Sequence, residues 1–346
     1  MKKLVSLVLM VALVALPMMA MAAGLDDFVQ SKLKNAVVAA LDGKEATPEN
    51  LAAIKKLDAS GLNLMHLGGI EQLTGLEELN LSNNKIQELG FIDGLTNLKA
   101  LNLANNKIEQ LGPLTYLTNI EELDLSGNKY TENGKRIGLQ NIGTLENLTK
   151  LRKLDLSDNY VVNLNPLAAL TTLEELDVSN NAELEADTNN VGAGLEDIRM
   201  LANLVNLRKL DASGNDLEEV YALAAMTKLK ELDLSDNNLQ DLASLYVLTD
   251  LTKLDLSHNK IEDTRPLSSL KNLNTLNVSN NLISDLTYIN RLNVKNLDVS
   301  NNPATVGQQA VGSLPKTGDN SSLMLWACLM LMACTGMVFR SKLRHE

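Results

Sequence analysis

LEELNLSNNKI (76–86), LKALNLANNKI (98–108) and IEELDLSGNKY (120–130) follow one another at intervals of 22 residues. LRKLDLSDNYV (151–161), LEELDVSNNAE (173–183), LRKLDASGNDL (207–217), LKELDLSDNNL (229–239), LTKLDLSHNKI (251–261) and LNTLNVSNNLI (273–283) continue the series. IKKLDASGLNL (54–64) opens it and VKNLDVSNNPA (294–304) closes it, so eleven units share the pattern L-x-x-L-x-L-x-x-N-x-L. A fixed period of this length means stacked copies of one supersecondary unit. Within a unit, Leu79 and Leu81 alternate with Asn80, the two-residue period of a strand with one buried face. Strands from successive units form a parallel sheet, whose buried face must be covered by the returning segments. Leu89, Ile92, Leu95 and Leu98 supply the apolar side of one such return. Pro113, Pro166 and Pro266 each fall seven residues after a motif asparagine, where a first-turn proline opens a short helix or 3₁₀ turn.

The pattern resembles the leucine-rich repeat, and its 22-residue unit is similar to that of the internalins; the resemblance covers about residues 25–304. It implies an α/β fold: a curved solenoid with a parallel β-sheet on the concave face and short helices or 3₁₀ turns on the convex face. Residues 23–53 resemble the helical N-terminal cap of internalin-like proteins. Phe28, Leu33, Val37, Val38 and Leu41 follow helical spacing, and Thr47-Pro48 reads as an N-cap followed by proline at the first helical position. Ten of the eleven units in 54–304 carry the motif asparagine: Asn84, Asn106, Asn128, Asn159, Asn181, Asn215, Asn237, Asn259, Asn281 and Asn302. A carboxamide both donates and accepts, so a buried asparagine in a turn can pair backbone groups that the strand leaves behind. The ladder is therefore expected to be structural; the first unit has Leu62 instead.

Two units are longer. The step from Leu123 to Leu154 is 31 residues and that from Leu176 to Leu210 is 34. GLQNIGTLENLTKL (138–151) and GLEDIRMLANLVNL (194–207) align with each other, and their spacing suggests a longer amphipathic helix on the outer face. The preceding stretches, TENGKRI (131–137) and ELEADTNNVGA (183–193), read as irregular polar loops. Loops inserted into a regular solenoid are natural recognition elements, although drift after duplication would produce them too.

Both termini read as addresses. Residues 1–22 carry Lys2 and Lys3, an apolar run from Leu4 to Leu16, and Ala20 and Ala22 at the −3 and −1 positions of a signal-peptidase site. At the other end, Leu314, Pro315, Lys316, Thr317 and Gly318 precede an apolar segment, 323–339, and a tail containing Arg340, Lys342 and Arg344. Seventeen apolar residues sit at the lower limit for a spanning helix, and basic residues hold the end on the cytoplasmic side. This three-part signal, 314–346, resembles the LPXTG sorting signal of Gram-positive surface proteins. The resemblance implies that a sortase cleaves after Thr317 and joins its carbonyl to peptidoglycan, leaving a protein anchored covalently to the cell wall. Pro315 bends the peptide and Gly318 leaves the scissile carbonyl unshielded. The linker 305–313 is short.

Between the two signals, residues 23–317 hold 26 basic and 41 acidic side chains, a net charge of −15. That balance argues against nucleic acid and anionic lipid as partners. Cys328 and Cys334 both lie in the apolar segment, so the exported part has no disulfide, thiolate nucleophile or cysteine metal site. Its histidines, His66 and His258, sit in distant units, and no nucleophile, phosphate-loop or metal-ligand motif occurs. No cofactor and no catalysis are expected. The residue between the strand leucines is aspartate in eight units, including Asp124, Asp155, Asp177, Asp211, Asp233 and Asp255; Asp58 and Asp298 stand near the ends. Strands about 4.8 Å apart would stack these carboxylates into a column. The column is either a strip for a basic or calcium-bridged partner, or part of the repeat's architecture, screened by neighbouring lysine and arginine. Flanking pairs alternate in sign from unit to unit: Lys55-Lys56, Glu77-Glu78, Lys99-Ala100, Glu121-Glu122, Arg152-Lys153, Glu174-Glu175 and Arg208-Lys209. Aromatic anchors are essentially missing from this face. The expected function is a wall-anchored module binding a protein or glycan ligand, and the alternative is a structural wall protein with no specific ligand.

Overall fold

The computed structural model describes residues 24–181 and 194–305. The export signal 1–22, the inserted loop 183–193, the linker beyond residue 305, the pentapeptide 314–318 and the apolar span 323–339 lie outside the described residues.

Helices α1 (Ser31–Ala40) and α2 (Pro48–Ala52) precede the first repeat. Pro48 occupies the first turn of α2, and Thr47 caps it by accepting a hydrogen bond from the Asn50 amide at 3.2 Å. Phe28, Leu33, Val37, Leu41 and Leu51 are buried. Val38, one residue along from Val37, points outward and is 46% exposed, so it does not belong to the cap core. The Gln30 side chain accepts from the amides of Met65 and His66 at 2.8 and 2.9 Å, tying the cap to the first repeat.

Eleven three-residue strands form one parallel sheet, in chain order apart from an interposed hairpin. They are β1 (Lys56–Asp58), β2 (Glu78–Asn80), β3 (Ala100–Asn102), β4 (Glu122–Asp124), β7 (Lys153–Asp155) and β8 (Glu175–Asp177), then β9 (Lys209–Asp211), β10 (Glu231–Asp233), β11 (Lys253–Asp255), β12 (Thr275–Asn277) and β13 (Asn296–Asp298). The register never slips, and each central leucine pairs with the next, as Leu123 with Leu154 and Leu176 with Leu210. A one-residue slip would turn the buried leucines outward, which holds the register even across the longer units.

Returning segments on the outer face form 3₁₀ helices. Pro113, Pro166 and Pro266 stand in the first turns of Gly112–Tyr116, Asn165–Ala169 and Arg265–Ser269. The two longer units do not build a longer helix: Gly143–Asn147 and Arg199–Asn203 are five residues each, like their neighbours. The reason lies in the spacing. Leu139, Ile142, Leu145, Leu148 and Leu151 are all buried and recur every three residues, which matches the 3.0-residue turn of a 3₁₀ helix rather than the 3.6-residue α-helix. The extra residues of the first long unit go elsewhere. Lys129–Glu132 (β5) and Lys135–Gly138 (β6) form an antiparallel hairpin, in place of the expected irregular loop. Asn133 and Gly134 turn it, with φ of 52° and 76°, a two-residue turn in which both central residues are left-handed.

The core is a set of parallel leucine rows along the solenoid. Leu67, Leu89, Leu111, Ile142, Leu164, Ile198, Val220 and Leu242 occupy one row, each buried. Thr264 continues that row, 2% exposed, and its hydroxyl has no hydrogen-bond partner among the described residues.

Candidate functional site

The motif asparagines are buried, from 0% exposed at Asn128, Asn159 and Asn181 to 8% at Asn84 and Asn259. Asn237 shows the arrangement. Its Nδ2 donates to the carbonyls of Leu234 and Ser235, both at 3.1 Å, and to that of Ala212 in the preceding repeat at 2.9 Å. Its Oδ1 accepts from the Leu217 amide at 3.0 Å. The same set recurs at Asn84, Asn106, Asn259, Asn281 and Asn302. Each side chain closes its own turn and bonds to the previous one. In the two long units the amide donor shifts: Asn159 accepts from the Asn128 amide at 3.2 Å, and Asn215 from the Asn181 amide at 3.1 Å. In the first long unit the hairpin insertion begins immediately after Asn128.

The residue before each ladder position has a left-handed backbone in all eleven units, with φ between 53° and 66°. Only glycine, asparagine, aspartate and histidine occur there, from Gly61 to Asn301. These types tolerate positive φ best. His258 is one of them, so its place in the repeat has a backbone explanation: φ is 55°, and its ring lies 3.0 Å from Asn280 Nδ2. The restricted composition of this position was visible in the sequence.

On the opposite side of the strands, the aspartate column is half-buried and used locally. Oδ1 of Asp124, Asp155, Asp177, Asp211, Asp233 and Asp255 each accepts from the amide and the hydroxyl of the serine two residues later, at 2.9–3.0 Å and 2.6 Å. Asparagines close both ends of this run of six. Asn102 Nδ2 donates to Asp124 Oδ2 at 2.9 Å, and Asn277 Nδ2 to Asp255 Oδ2 at 3.0 Å. Burial is the main influence on the middle of the column: it pushes the Asp155 and Asp233 carboxyls up and the Asp177 carboxyl up to about 6, each with a further push from neighbouring aspartates. Asp58 and Asp298, near the ends and more exposed, are instead held below the usual range by hydrogen bonds from Ser60 and Ser300.

The flanking charges pair across strands. Glu77 lies 3.2 Å from Lys55 and 2.7 Å from Lys99; Glu174 lies 2.9 Å from Arg152 and 3.7 Å from Arg208; Lys153 lies 3.5 Å from Glu175. Over β1 to β9 the face holds a groove of about 610 Å³ whose lining contains no aromatic residue. Among the described residues, no group of three or more acidic or histidine side chains is placed to hold a metal ion.

The β5–β6 hairpin stands beside this face and is locked to the repeats. The Tyr130 hydroxyl donates to Glu109 at 2.7 Å, and Lys107 sits 4.7 Å from the Tyr130 ring centre and 3.5 Å from Glu132. Lys129 reaches Asp158 at 2.9 Å and donates to the Asn180 carbonyl at 3.0 Å, two strands away. Gly138 is required where β6 rejoins the solenoid, because a Cβ there would lie 2.6 Å from the Asn128 carbonyl and 3.0 Å from the Tyr160 ring. Sequence reading located this insertion but not its form; Asn133-Gly134 was the available signal.

Residues 74–116, 96–149, 205–247 and 249–291 match the family described as Leucine Rich repeats (2 copies). No curated protein matches the chain by sequence. Among solved structures, an internalin (InlF) from Listeria monocytogenes is 30% identical, with 80% of this chain and 84% of that one covered and a TM-score of 0.66. Internalin C2 of the same organism is 26% identical, over 73% of this chain and 95% of that one, with a TM-score of 0.52. A plant peptide hormone receptor, RGFR1, solved in complex with RGF2, shares the fold at 22% identity and a TM-score of 0.53, over 68% of this chain and 37% of that one. Repeat pattern and solenoid agree with the internalin, and the chain belongs to the internalin-like family of leucine-rich-repeat proteins.

Proposed function

We propose that this protein is an exported, non-catalytic binding module, anchored to the Gram-positive cell wall through Thr317, that captures a macromolecular partner, most simply a protein, beside its concave face. The observation that carries the reading is the hairpin β5–β6. It is the described element that breaks the repeat, and contacts of Tyr130, Lys107 and Lys129 tie it to the neighbouring repeats. A preformed element costs little ordering on binding. Thr131, Glu132 and Lys135 are exposed along it. The aspartate column is the weaker candidate, because its Oδ1 atoms are already engaged by serines and its flanks are paired in salt bridges. Wall attachment rests on the residues 314–318 and 323–339 read above, with sortase as the processing enzyme and peptidoglycan as the acceptor.

Two experiments test this. Cells expressing the full chain are digested with a muralytic enzyme, and the released peptides are read by mass spectrometry. Thr317 should carry peptidoglycan fragments, and recovery of Cys328-containing peptides as the major form would refute anchoring. For binding, Thr131, Glu132, Lys135 and Arg136 are deleted, which removes two strand pairs and keeps the Asn133-Gly134 turn. Partner capture by the full chain should fall while the melting temperature holds. Capture unchanged by this deletion but abolished by Glu174→Lys with Glu175→Lys would place the site on the sheet instead. No specific capture at all would favour a purely structural wall protein.

A further inference from the structure

The charge alternation that neutralises one flank of the sheet stops at β10. Two residues before each strand leucine the chain reads Lys55, Glu77, Lys99, Glu121, Arg152, Glu174 and Arg208, and then Lys230 where an acid is due. Thr252, Asn274 and Lys295 complete the row. Lys230, Lys271 and Lys295 line a groove of about 510 Å³ with Asn272, Asn274 and Asn293, and Asp250 is the single carboxylate in that lining. In the N-terminal half the corresponding cations reach carboxylates, as Lys99 reaches Glu77 at 2.7 Å and Arg152 reaches Glu174 at 2.9 Å. Among the described residues, the three groove lysines have no carboxylate within ion-pair distance, and the Asn274 and Asn293 carboxamides make no hydrogen bonds.

Lys230 and Lys295 are three strands apart, about 14 Å at the backbone, with Lys271 at the rim between them. Three lysines lining one opening suit an oxyanion, which lysine binds as a point charge. The carboxamides add paired donors and acceptors, the pattern that matches hydroxyl groups. The lining has no aromatic ring, so it offers nothing for a nucleobase to stack on. The chain as a whole carries a formal charge of −12. That repulsion is screened beyond about 8 Å at physiological salt, so the local lysines govern a ligand seated among them. We propose that this groove binds a polyhydroxylated chain, saccharide or polyol, through its phosphate or sulfate groups. The site is independent of the hairpin and of wall attachment.

The test measures binding of the full chain to heparin, to poly(glycerol phosphate) and to single-stranded DNA, each immobilised, at 50 and 150 mM salt. Heparin or poly(glycerol phosphate) should bind more tightly than DNA; which of the two is preferred assigns the group as sulfate or phosphate. Lys271→Ala with Lys295→Ala should weaken binding about fivefold or more. Lys55→Ala with Lys99→Ala makes the same charge change on the paired half and should leave affinity within about twofold. Asp250→Asn should tighten binding. All three are exposed-site substitutions, and matching thermal melts confirm the fold. Equal weakening by both lysine pairs, DNA binding as tight as the saccharide and polyol probes, or no binding at 50 mM salt would overturn the proposal.

Discussion

Replacing Asn237 by alanine removes four hydrogen bonds from a side chain that is 7% exposed. The Leu217 amide loses the acceptor it has in this structure and lies where water does not reach without opening the turn. A buried polar group left unpaired costs about 1–3 kcal/mol. The carbonyls of Ala212 and Leu234 also lose a donor, and a small cavity remains, so about 2–4 kcal/mol is expected in total. For a domain of roughly this size, 1 kcal/mol shifts the melting temperature by about 2–4 °C, which puts the drop at about 4–16 °C by differential scanning calorimetry. Asn238→Ala, at a half-buried neighbour whose side chain makes no hydrogen bond among the described residues, should stay within about 0.5 kcal/mol of wild type. Asn237→Asp separates the two halves of the role. It keeps an acceptor for Leu217 but turns a carboxylate oxygen toward three carbonyls, so it should be at least as damaging as alanine despite its matching shape. Equal shifts for Asn237→Ala and Asn238→Ala, or a neutral Asn237→Asp, would refute the assignment of the ladder to backbone pairing.

Thr264→Val removes the unpartnered buried hydroxyl while keeping the shape, and should raise stability by about 1 kcal/mol or more; a loss on calorimetry would show that the hydroxyl has a partner. The raised carboxyls of Asp155, Asp177 and Asp233 bind protons more readily folded than unfolded, so their contribution is present at low pH and is lost as pH rises through their raised folded values, about 6 for Asp177. The melting temperature should therefore be higher at pH 5 than at pH 7.5, and Asp177→Asn should flatten that rise; an unchanged profile in the variant would exclude the column as its source. Below that window the opposite sign takes over, because Glu77, Asp197 and Asp263 are held low by basic partners and lose their contribution on protonation. Glu174→Lys with Glu175→Lys puts three basic strands in succession and breaks the contacts to Arg152, Arg208 and Lys153. It should cost about 1–2 kcal/mol in dilute buffer, less in 1 M salt, and a loss insensitive to salt would mean that packing rather than charge is responsible.

A 22-residue period and alternating leucines were enough to establish a parallel solenoid, because each unit buries its apolar face only by stacking on a copy of itself. The cap was equally legible, since Thr47-Pro48 and the spacing of Leu33 and Val37 are local signals. The asparagine positions could be read as well, though not their bonds to the preceding turn, which connect residues 20 and 25 apart. Other features were set by tertiary contacts. The first long unit holds only the five-residue 3₁₀ helix Gly143–Asn147, because its buried residues must line up with the rows of the neighbouring repeats, which the three-residue spacing allows and an α-helix would have rotated out of line. The aspartate column looks like open charge in one dimension; stacking half-buries it, and the serine two residues on takes one oxygen of each carboxylate. The unpaired lysines are the reverse case. Lys230 breaks the charge alternation along the chain, but only the stacked repeats bring it with Lys271 and Lys295 around a common groove, unlike the paired cations of the N-terminal half. Local propensity and periodicity settle what each unit does alone, whereas the electrostatic character of a solenoid face belongs to neighbours that meet only after the units have stacked.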